Sequence, residues 1–538
     1  MPQPRDPSGA PPWWRAGVLY QIYPRSFADA NGDGQGDLGG VIEHLDHLAW
    51  LGVDGIWLSP ITTSPQADWG YDVADYRSID PDFGDLDDLD RLVAEAGERG
   101  IRVLMDLVPN HTSDRHAWFV DARSSRSSEH RDWYVWADAK PDGSLPNNWR
   151  SSFGGPAWTW DEGTDQYYLH NFLPEQPDLN WWNPSVGDAF EDIIRFWLDR
   201  GVAGFRIDVA HALMKDRLLR DDSPALDTDD PRVRAHGLRS DFSMNRPEAH
   251  DVLRRWRGVA DSYDEPSRVL LGETWVLDLE ALARFYGSGE DELHLALNVP
   301  FVYSTPGPEM RAVVQATEAV LPPEAWPLWN GSNHDAGRFA SRWCDGDERR
   351  SRAALLALLT LRGTPLLYYG DEIGMRDATI PRDRLKDPVG IRHWPENPGR
   401  DGGRTPMQWT PAGGFTDTDV EPWLPAGDAE ARNVAGQRED PDSMLHLCRD
   451  LIALRRERED LHAGAYHVLE AREGVWAWRR GADTVVVVNH GDAPSTLPLG
   501  GGEILLGTER GRATERVNGA VHLEPWEALV IATGGDGR

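Results

Sequence analysis

The chain has almost no cysteine. Its two thiols, Cys344 and Cys448, cannot supply the disulfide framework of a small secreted domain, and usage this sparse points to a reducing, cytoplasmic compartment. Lysine is nearly as scarce, with only Lys140, Lys215 and Lys386. Long apolar runs are missing too. The longest, "LLALLTL" and "VVVV", fall far short of the ~20 residues a membrane span needs. The first residues, "MPQPRDPSGAPP", carry no apolar h-region and read as a loose tail over 1–12, not a signal peptide. Positive charge is in deficit: 55 Lys and Arg stand against 89 Asp and Glu, a net −34. So acidic a chain repels nucleic acid and anionic membranes, while a small neutral substrate is indifferent to the field. What is present is ordinary for a folded protein, with 40% hydrophobic and 27% charged residues over 538 positions. That length implies one large domain with one or two smaller ones. Tryptophan leads the aromatics, 25 against 13 Tyr and 13 Phe, and its flat, rigid ring suits the face of a sugar as well as a core.

One theme repeats along the chain: a short apolar run ends in polar residues, and a helical pattern follows. The runs are 17–27, 52–60, 100–111, 201–211, 268–275, 293–300, 326–335 and 363–372. Between them Leu38, Val41, Ile42, Leu45 and Leu48 share a helix face, as do Phe190, Ile193, Ile194 and Trp197. Alternating strand and helix predicts a parallel sheet, and eight units predict a closed (β/α)8 TIM barrel. The third and fourth runs are separated by about ninety residues, too many for one helix and its loops. The stretch is rich in Trp, Gly, Asn and Pro, and we expect an inserted subdomain at 112–180. Beyond the barrel (13–111 and 181–458), short apolar runs bounded by turns ("GVWAWRRG", "ADTVVVVNHG", "GEILLG") predict a C-terminal antiparallel β domain over 459–538, sandwich-like in form.

A barrel of this kind builds its site at the C-terminal ends of its strands. Here those ends carry Asp106 with Asn110-His111, then Arg206-Ile207-Asp208, Glu273, and Asn333-His334-Asp335. A single Asp at a strand end is commonly a helix cap. Several acids, two histidines and an arginine converging on one rim are hard to explain as caps. Two carboxylates facing one pocket suggest cleavage of a glycosidic bond. Arg206 lies two residues before Asp208, on the same side of the strand. A neighbouring guanidinium is expected to keep Asp208 charged, as a nucleophile requires. Glu273 follows "RVLLG", and a partly apolar setting suits a general acid. Asp335 is left to bind sugar hydroxyls.

At this point the sequence resembles the α-amylase-type glycoside hydrolases, in particular the α-glucosidase and oligo-1,6-glucosidase branch. The motifs "DLVPNHTS", "GFRIDVAH", "GETW" and "NHD" carry the resemblance, with "DWGYDVADY" (68–76), "QPDLNWWNP" (176–184) and "GRDGGRTPMQW" (399–409) at branch level. It spans the chain from about residue 13 onward. The resemblance implies a retaining double displacement with Asp208 as nucleophile, Glu273 as acid/base and Asp335 as stabiliser. It also implies a glucose pocket floored by Asp68, Tyr71, His111, Phe172, Arg206, His334 and Arg404. In it Asp68 and Arg404 clamp the 4-hydroxyl end and make cleavage exo, one glucose at a time from the non-reducing end of short α-glucosides. Val209, directly after the nucleophile, goes in the family with α-1,6 linkages; here Ala210-His211 follow it, and Trp69 replaces a commoner Asn. Transfer of glucose to another sugar is a parallel outcome of the same chemistry. The scarcity of lysine argues against phosphorylated disaccharides. A sucrose or trehalose isomerase is the alternative on the same scaffold. A non-catalytic family member would have lost the acids, which this chain keeps.

One further motif, "DANGDGQGD" at 29–37, offers oxygens from Asp29, Asn31, Asp33 and Asp37, with the Gln35 carbonyl between. An EF-hand would need a bidentate Glu at position 12, where Gly40 stands. In the family the loop after strand one holds one structural Ca2+, sometimes Mg2+, away from the site. The expectation is a metal staple, not a calcium sensor.

Overall fold

The computed structural model describes residues 11–289 and 291–534; the tail expected over 1–12 lies outside them except for Pro11 and Pro12. Each of the eight apolar runs carries one strand: β1 (Leu19–Ile22), β2 (Gly55–Leu58), β3 (Arg102–Leu107), β4 (Gly204–Ile207), β5 (Val269–Gly272), β6 (Leu295–Ala296), β7 (Leu328–Asn330) and β8 (Thr364–Tyr368). They form one parallel sheet in the order β6-β5-β4-β3-β2-β1-β8-β7. The barrel is thus nearly closed, with a seam between β6 and β7.

The strands read as continuous apolar runs because both faces are buried. Side chains alternate across them. Leu19, Trp57, Leu104, Val269, Leu271, Leu295, Leu328 and Leu366 form a separate apolar cluster with Trp14, which we take as the barrel's interior layer. Their neighbours Tyr20, Ile22, Ile56, Leu58, Val103, Met105, Phe205 and Ile207 belong to the larger core shared with the helices. Two residues further along the same inward side come Gln21, Asp106 and Glu273. The interior therefore changes from apolar to charged within one period of the pleat. That change creates the site.

Helix α1 (Leu86–Glu98) starts at a capping box between Asp85 and Asp88. Helix α2 (Pro184–Asp199) starts at Asn183 with Pro184 in its first turn, and it buries Phe190, Ile193, Ile194 and Trp197 as expected. The helix expected from Leu38 to Leu48 is two short ones, Leu38–Glu43 and Leu45–Leu51, broken at His44. The His44 ring lies 2.9 Å from the Gly40 carbonyl.

Between β3 and α2 a three-stranded sheet (Trp136–Ala137, Trp158–Asp161, Gln166–Leu169) encloses its own small core of Trp149, Ala157, Trp158 and Leu169. The long segment after β4 docks on it. The Trp149 indole donates to the Arg220 carbonyl at 2.9 Å and Arg150 to the His236 carbonyl at 2.9 Å.

The C-terminal strands are β9 (Tyr466–Leu469), β10 (Val475–Arg480), β11 (Thr484–Asn489), β12 (Ser495–Gly507), β13 (Arg516–Leu523) and β14 (Ala528–Ala532). They form a single sheet, β9-β10-β11-β14-β12-β13, where two packed sheets were expected. Register shifts in β12 after Pro498 and after Ile504 accompany a curl that brings Val517 and Val521 onto Val475 and Val487. One strand of 13 residues, bent at bulges, does the work of two. The other face, with Trp476, Trp478, Val486 and Val488, joins the main core.

Two buried arginines close the joint between this sheet and the barrel. Helix α3 (Glu348–Thr360) ends just before β8 and leaves its last carbonyls without intrahelical donors. Arg455, on helix α4 (Met444–Glu457), donates to the carbonyls of Leu359 at 3.2 Å and Leu361 at 3.3 Å. Arg480, on β10, donates to that of Thr360 at 2.6 Å. Both cations also oppose the negative end of the helix dipole. Arg455→Met is expected to cost about 2–4 kcal/mol by leaving these acceptors dry. The measurement is the shift in urea midpoint, and an unchanged midpoint would contradict the assignment.

Candidate active site

Arg206 is the centre of the rim. It is paired in register with Asp106 on the neighbouring strand. Its Nη1 donates to Asp106 Oδ1 at 3.0 Å and to Asp208 Oδ1 at 2.7 Å, and its Nη2 to Glu273 Oε2 at 2.6 Å. Three carboxylates from three strands share one buried guanidinium. The Trp57 indole and the Tyr71 hydroxyl each donate to Asp106 Oδ2 at 3.1 Å. Asp106 is thereby committed to holding the arginine.

The turn carrying Asp208 is tied to the turn carrying Glu273. The Val209 amide donates to Glu273 Oε2 at 3.1 Å, and the Ala210 amide to the Glu273 carbonyl at 2.9 Å. Val209 has φ +35°, a conformation that costs a β-branched residue strain and that persists only where the surroundings impose it. The setting of the Glu273 carboxyl is polar, not the partly apolar one expected.

The charge balance also departs from the expectation that Arg206 alone keeps Asp208 ionised. Burial pushes the Asp208 carboxyl well above the usual carboxylate range; Arg206 pulls it back, but Glu273 and Asp106 add to the rise. Burial likewise lifts Asp106 to about 7 against the pull of Arg206. Arg206 shares its one charge among three carboxylates, so the buried Asp106 and Asp208 keep a proton between them near neutral pH, and that proton belongs to the pair.

Asp335 is in the opposite state. Burial works against its charge, yet His334, Arg400 and Arg404 outweigh burial and hold it well below the usual range. Arg404 Nη2 and Arg400 Nη1 donate to Asp335 Oδ1 at 3.1 and 3.0 Å. His334 stacks on Tyr71, with ring centroids 5.2 Å apart. Its Nδ1 accepts a hydrogen bond from the Gln21 amide at 2.8 Å, leaving Nε2 to face the Tyr71 hydroxyl at 2.6 Å and Asp335 at 3.2 Å.

Asp68 closes the far wall, but its ion pair is with Arg400, at 2.8 Å, not with Arg404. Arg404 instead donates to the His334 carbonyl at 2.8 Å and to Asp335. Arg400 touches Asp68, Asp335 and Asp387 and lies over the Phe153 ring of the insert. Sequence reading missed Arg400, although it stands in the quoted 399–409 motif. Gln176 was missed as well; its amide donates to Asp68 Oδ2 and to the Tyr71 carbonyl, both at 3.3 Å. His111 lies against Phe172 with ring centroids 5.1 Å apart. Every expected pocket residue is thus in contact with another of them or with Gln176.

The 29–37 loop lies elsewhere, beside Thr416, whose hydroxyl donates to Asp29 Oδ2 at 2.6 Å. Its acceptors serve the loop's own backbone. Asp29 takes the Gly32 and Gly34 amides, Asn31 that of Asp33, Asp33 that of Gln35, and Asp37 those of Ala30, Asn31 and Gly40. The Gln35 side chain receives Arg25. Among the described residues no three His, Cys, Asp or Glu side chains come together as a ready metal cluster.

A nearly closed parallel barrel with Asp208 and Glu273 beside Asp106 on one guanidinium, and Asp335 opposite, fits a carbohydrate-cleaving class of site. The comparisons agree. Residues 21–464 match the alpha amylase catalytic domain, and the chain belongs to that family. It is 45% identical over 544 residues to a probable alpha-glucosidase of Rhizobium meliloti (strain 1021), covering 96% of each chain. It is 38% identical to an oligo-1,6-glucosidase of Heyndrickxia coagulans, over 85% of this chain and 87% of that one. Among solved structures it superposes on an alpha-glucosyl transfer enzyme, XgtA, with TM-score 0.91 and 40% identity, over 97% of this chain and all of the other.

A carboxyl infrared band titrating near pH 7 is expected from the shared proton. In Asp106→Asn one like charge is gone, so the remaining acids lose their proton more easily and the band disappears at lower pH. A band that moves to higher pH, or none in the neutral range, would contradict the shared proton.

Proposed function

We propose that the chain is a retaining, exo-acting α-glucosidase that releases glucose from the non-reducing end of short α-glucosides. The observation that carries this reading is the pair Asp208 and Glu273 on two prongs of Arg206. Two acids held that closely favour direct attack over an interposed water. Asp208 attacks the anomeric carbon while Glu273 gives its proton to the glycosidic oxygen, and the aglycone leaves. Glu273, now a base, takes a proton from water, whose oxygen displaces Asp208 and restores both groups. Asp335, kept ionised by two arginines, accepts hydroxyl hydrogen bonds from the distorted ring. Asp68, Tyr71, His111, Phe172, Arg206, His334 and Arg404 line the glucose end. The Asp68–Arg400 pair stands at that end, and we assign to it the wall that makes cleavage exo.

A sugar hydroxyl competes with water for the same intermediate, and the likeness to a glucosyl transfer enzyme supports transglucosylation as a second activity. Val209, held at the nucleophile turn, is the residue we assign to linkage choice, toward α-1,6. The substrate is neutral, in keeping with the acidic chain. No helix among the described residues is long and apolar enough to cross a membrane. Two free, buried thiols support a cytoplasmic enzyme. Purified protein is expected to release glucose from isomaltose faster than from maltose, and Glu273→Gln to lose about 10²–10⁴-fold in kcat. Faster maltose cleavage would reverse the linkage assignment. Conversion of sucrose or trehalose to an isomer without net glucose release would replace the hydrolase with the isomerase.

The 29–37 loop is proposed to take one Ca2+ or Mg2+ through Asp29, Asn31, Asp33, the Gln35 carbonyl and Asp37. Each carboxylate oxygen has a second lone pair beyond the amide it accepts, so loop geometry and metal ligation are compatible. The metal would brace the loop and take no part in the reaction. Added Ca2+ is expected to raise the melting temperature of chelator-treated protein and to leave kcat unchanged. No shift at millimolar Ca2+ would remove the metal from the account.

A further inference from the structure

One of the three lysines is buried beside the pocket. Lys215 Nζ lies 2.5 Å from Asn110 Oδ1, 2.7 Å from Asp178 Oδ2 and 3.4 Å from the Leu213 carbonyl. The glycosidic chemistry above does not use it. Asp178 and His111 pair as a short antiparallel bridge, and Asp178 Oδ1 accepts the Asn171 amide at 2.9 Å, next to Phe172. The lysine therefore ties the end of β3 to the inserted subdomain at the glucose pocket.

Its chemistry reaches further than its contacts. An ammonium has three donors and no acceptor, so Asn110 must turn its oxygen toward Lys215. The Asn110 amide nitrogen then faces His111 Nδ1, 3.1 Å away. That nitrogen is a donor, so Nδ1 must accept. A neutral imidazole carries one proton, which is left on Nε2. There it points at the Tyr71 carbonyl, 3.0 Å away. Gln176 Nε2 also lies 3.1 Å from His111 Nε2, but its two hydrogens have acceptors in Asp68 and Tyr71, so it places no demand on the ring. His111 is buried and neutral: burial lowers it to about 4, with Asp178 opposing and Lys215 adding to the fall.

We propose that Lys215 is a positioning residue that, through the orientation of Asn110, fixes the Nε2-protonated tautomer of His111 and so holds the Tyr71 carbonyl at the glucose end of the pocket. The effect on activity rests on His111 and Tyr71 flanking the sugar as proposed above; the effect on the tautomer does not. Lysine serves here because a glutamine could either donate or accept and would let the Asn110 amide turn over.

Two-bond 1H–15N correlation spectra of [15N]histidine-labelled protein report the tautomer directly, with His111 assigned by its loss in His111→Gln. Wild type and Lys215→Arg are expected to show only the Nε2-protonated form. Lys215→Gln is expected to show a mixture and to lose about tenfold in kcat/KM, the worth of one hydrogen bond. Asn110→Asp keeps a partner for Lys215 but offers His111 only acceptors, and should move the proton to Nδ1. This second variant decides the matter if Lys215→Gln does not fold. An unchanged tautomer in a folded Lys215→Gln or in Asn110→Asp overturns the proposal. Full activity in His111→Gln would instead remove His111 from the sugar site while leaving the lysine's hold on the tautomer standing.

Discussion

Everything at the rim depends on one buried guanidinium. Arg206 faces three carboxylates with a single positive charge, an arrangement that is short of cation by design of the strands themselves. Burial makes each anion costly, and the guanidinium's fixed fork sets where the acids sit. The result couples geometry to protonation: the contact that spaces Asp208 and Glu273 also draws protons off the acids, while burial and the neighbouring carboxyls work the other way. Across the pocket the balance is inverted, with Arg400 and Arg404 on Asp335. Two regions of one cavity hold carboxyl groups in opposite states, and that contrast separates the roles of the acids.

The inserted subdomain and the segment after β8 matter because they bring side chains to this contrast from outside the barrel. Arg400 joins Asp68, Asp335 and Asp387 and rests on Phe153; Gln176 reaches Asp68 and the Tyr71 carbonyl. The strands supply the reacting carboxyls, while the loops supply the wall that limits what can enter. Chemistry and selectivity are thus borne by different parts of the chain, as is common where a rigid scaffold carries variable loops.

The barrel was legible in the sequence because strands buried on both faces are forced into compact apolar runs, and all eight runs hold a strand. The acids were legible because they follow those runs at fixed positions. The partner of Asp68 was not. Arg400 and Arg404 stand four residues apart in one motif, and only the turn between them decides which reaches Asp68 and which reaches Asp335. The break at His44 was hidden because the apolar face continues across it. The single curled sheet was hidden because short runs split by glycines read the same whether the strand between them bends or ends. The charge balance at Asp208 was only half legible, because counting its neighbour Arg206 left out the two other acids that draw on the same charge.

The first strand has its two neighbours at very different distances along the chain. β1 pairs with β2 some 36 residues on, through Leu19 and Gly55, and with β8 through Leu19 and Leu366. On a ribosome adding roughly 5–20 residues per second, one edge of β1 waits for tens of seconds before its second partner exists. During that time an open, apolar parallel edge is exposed to any passing chain. A strand of four residues offers such a chain few hydrogen bonds. The brevity that β1 shares with β2, β4 and β5 thus limits how much bonding the edge can offer while its second partner is still being made.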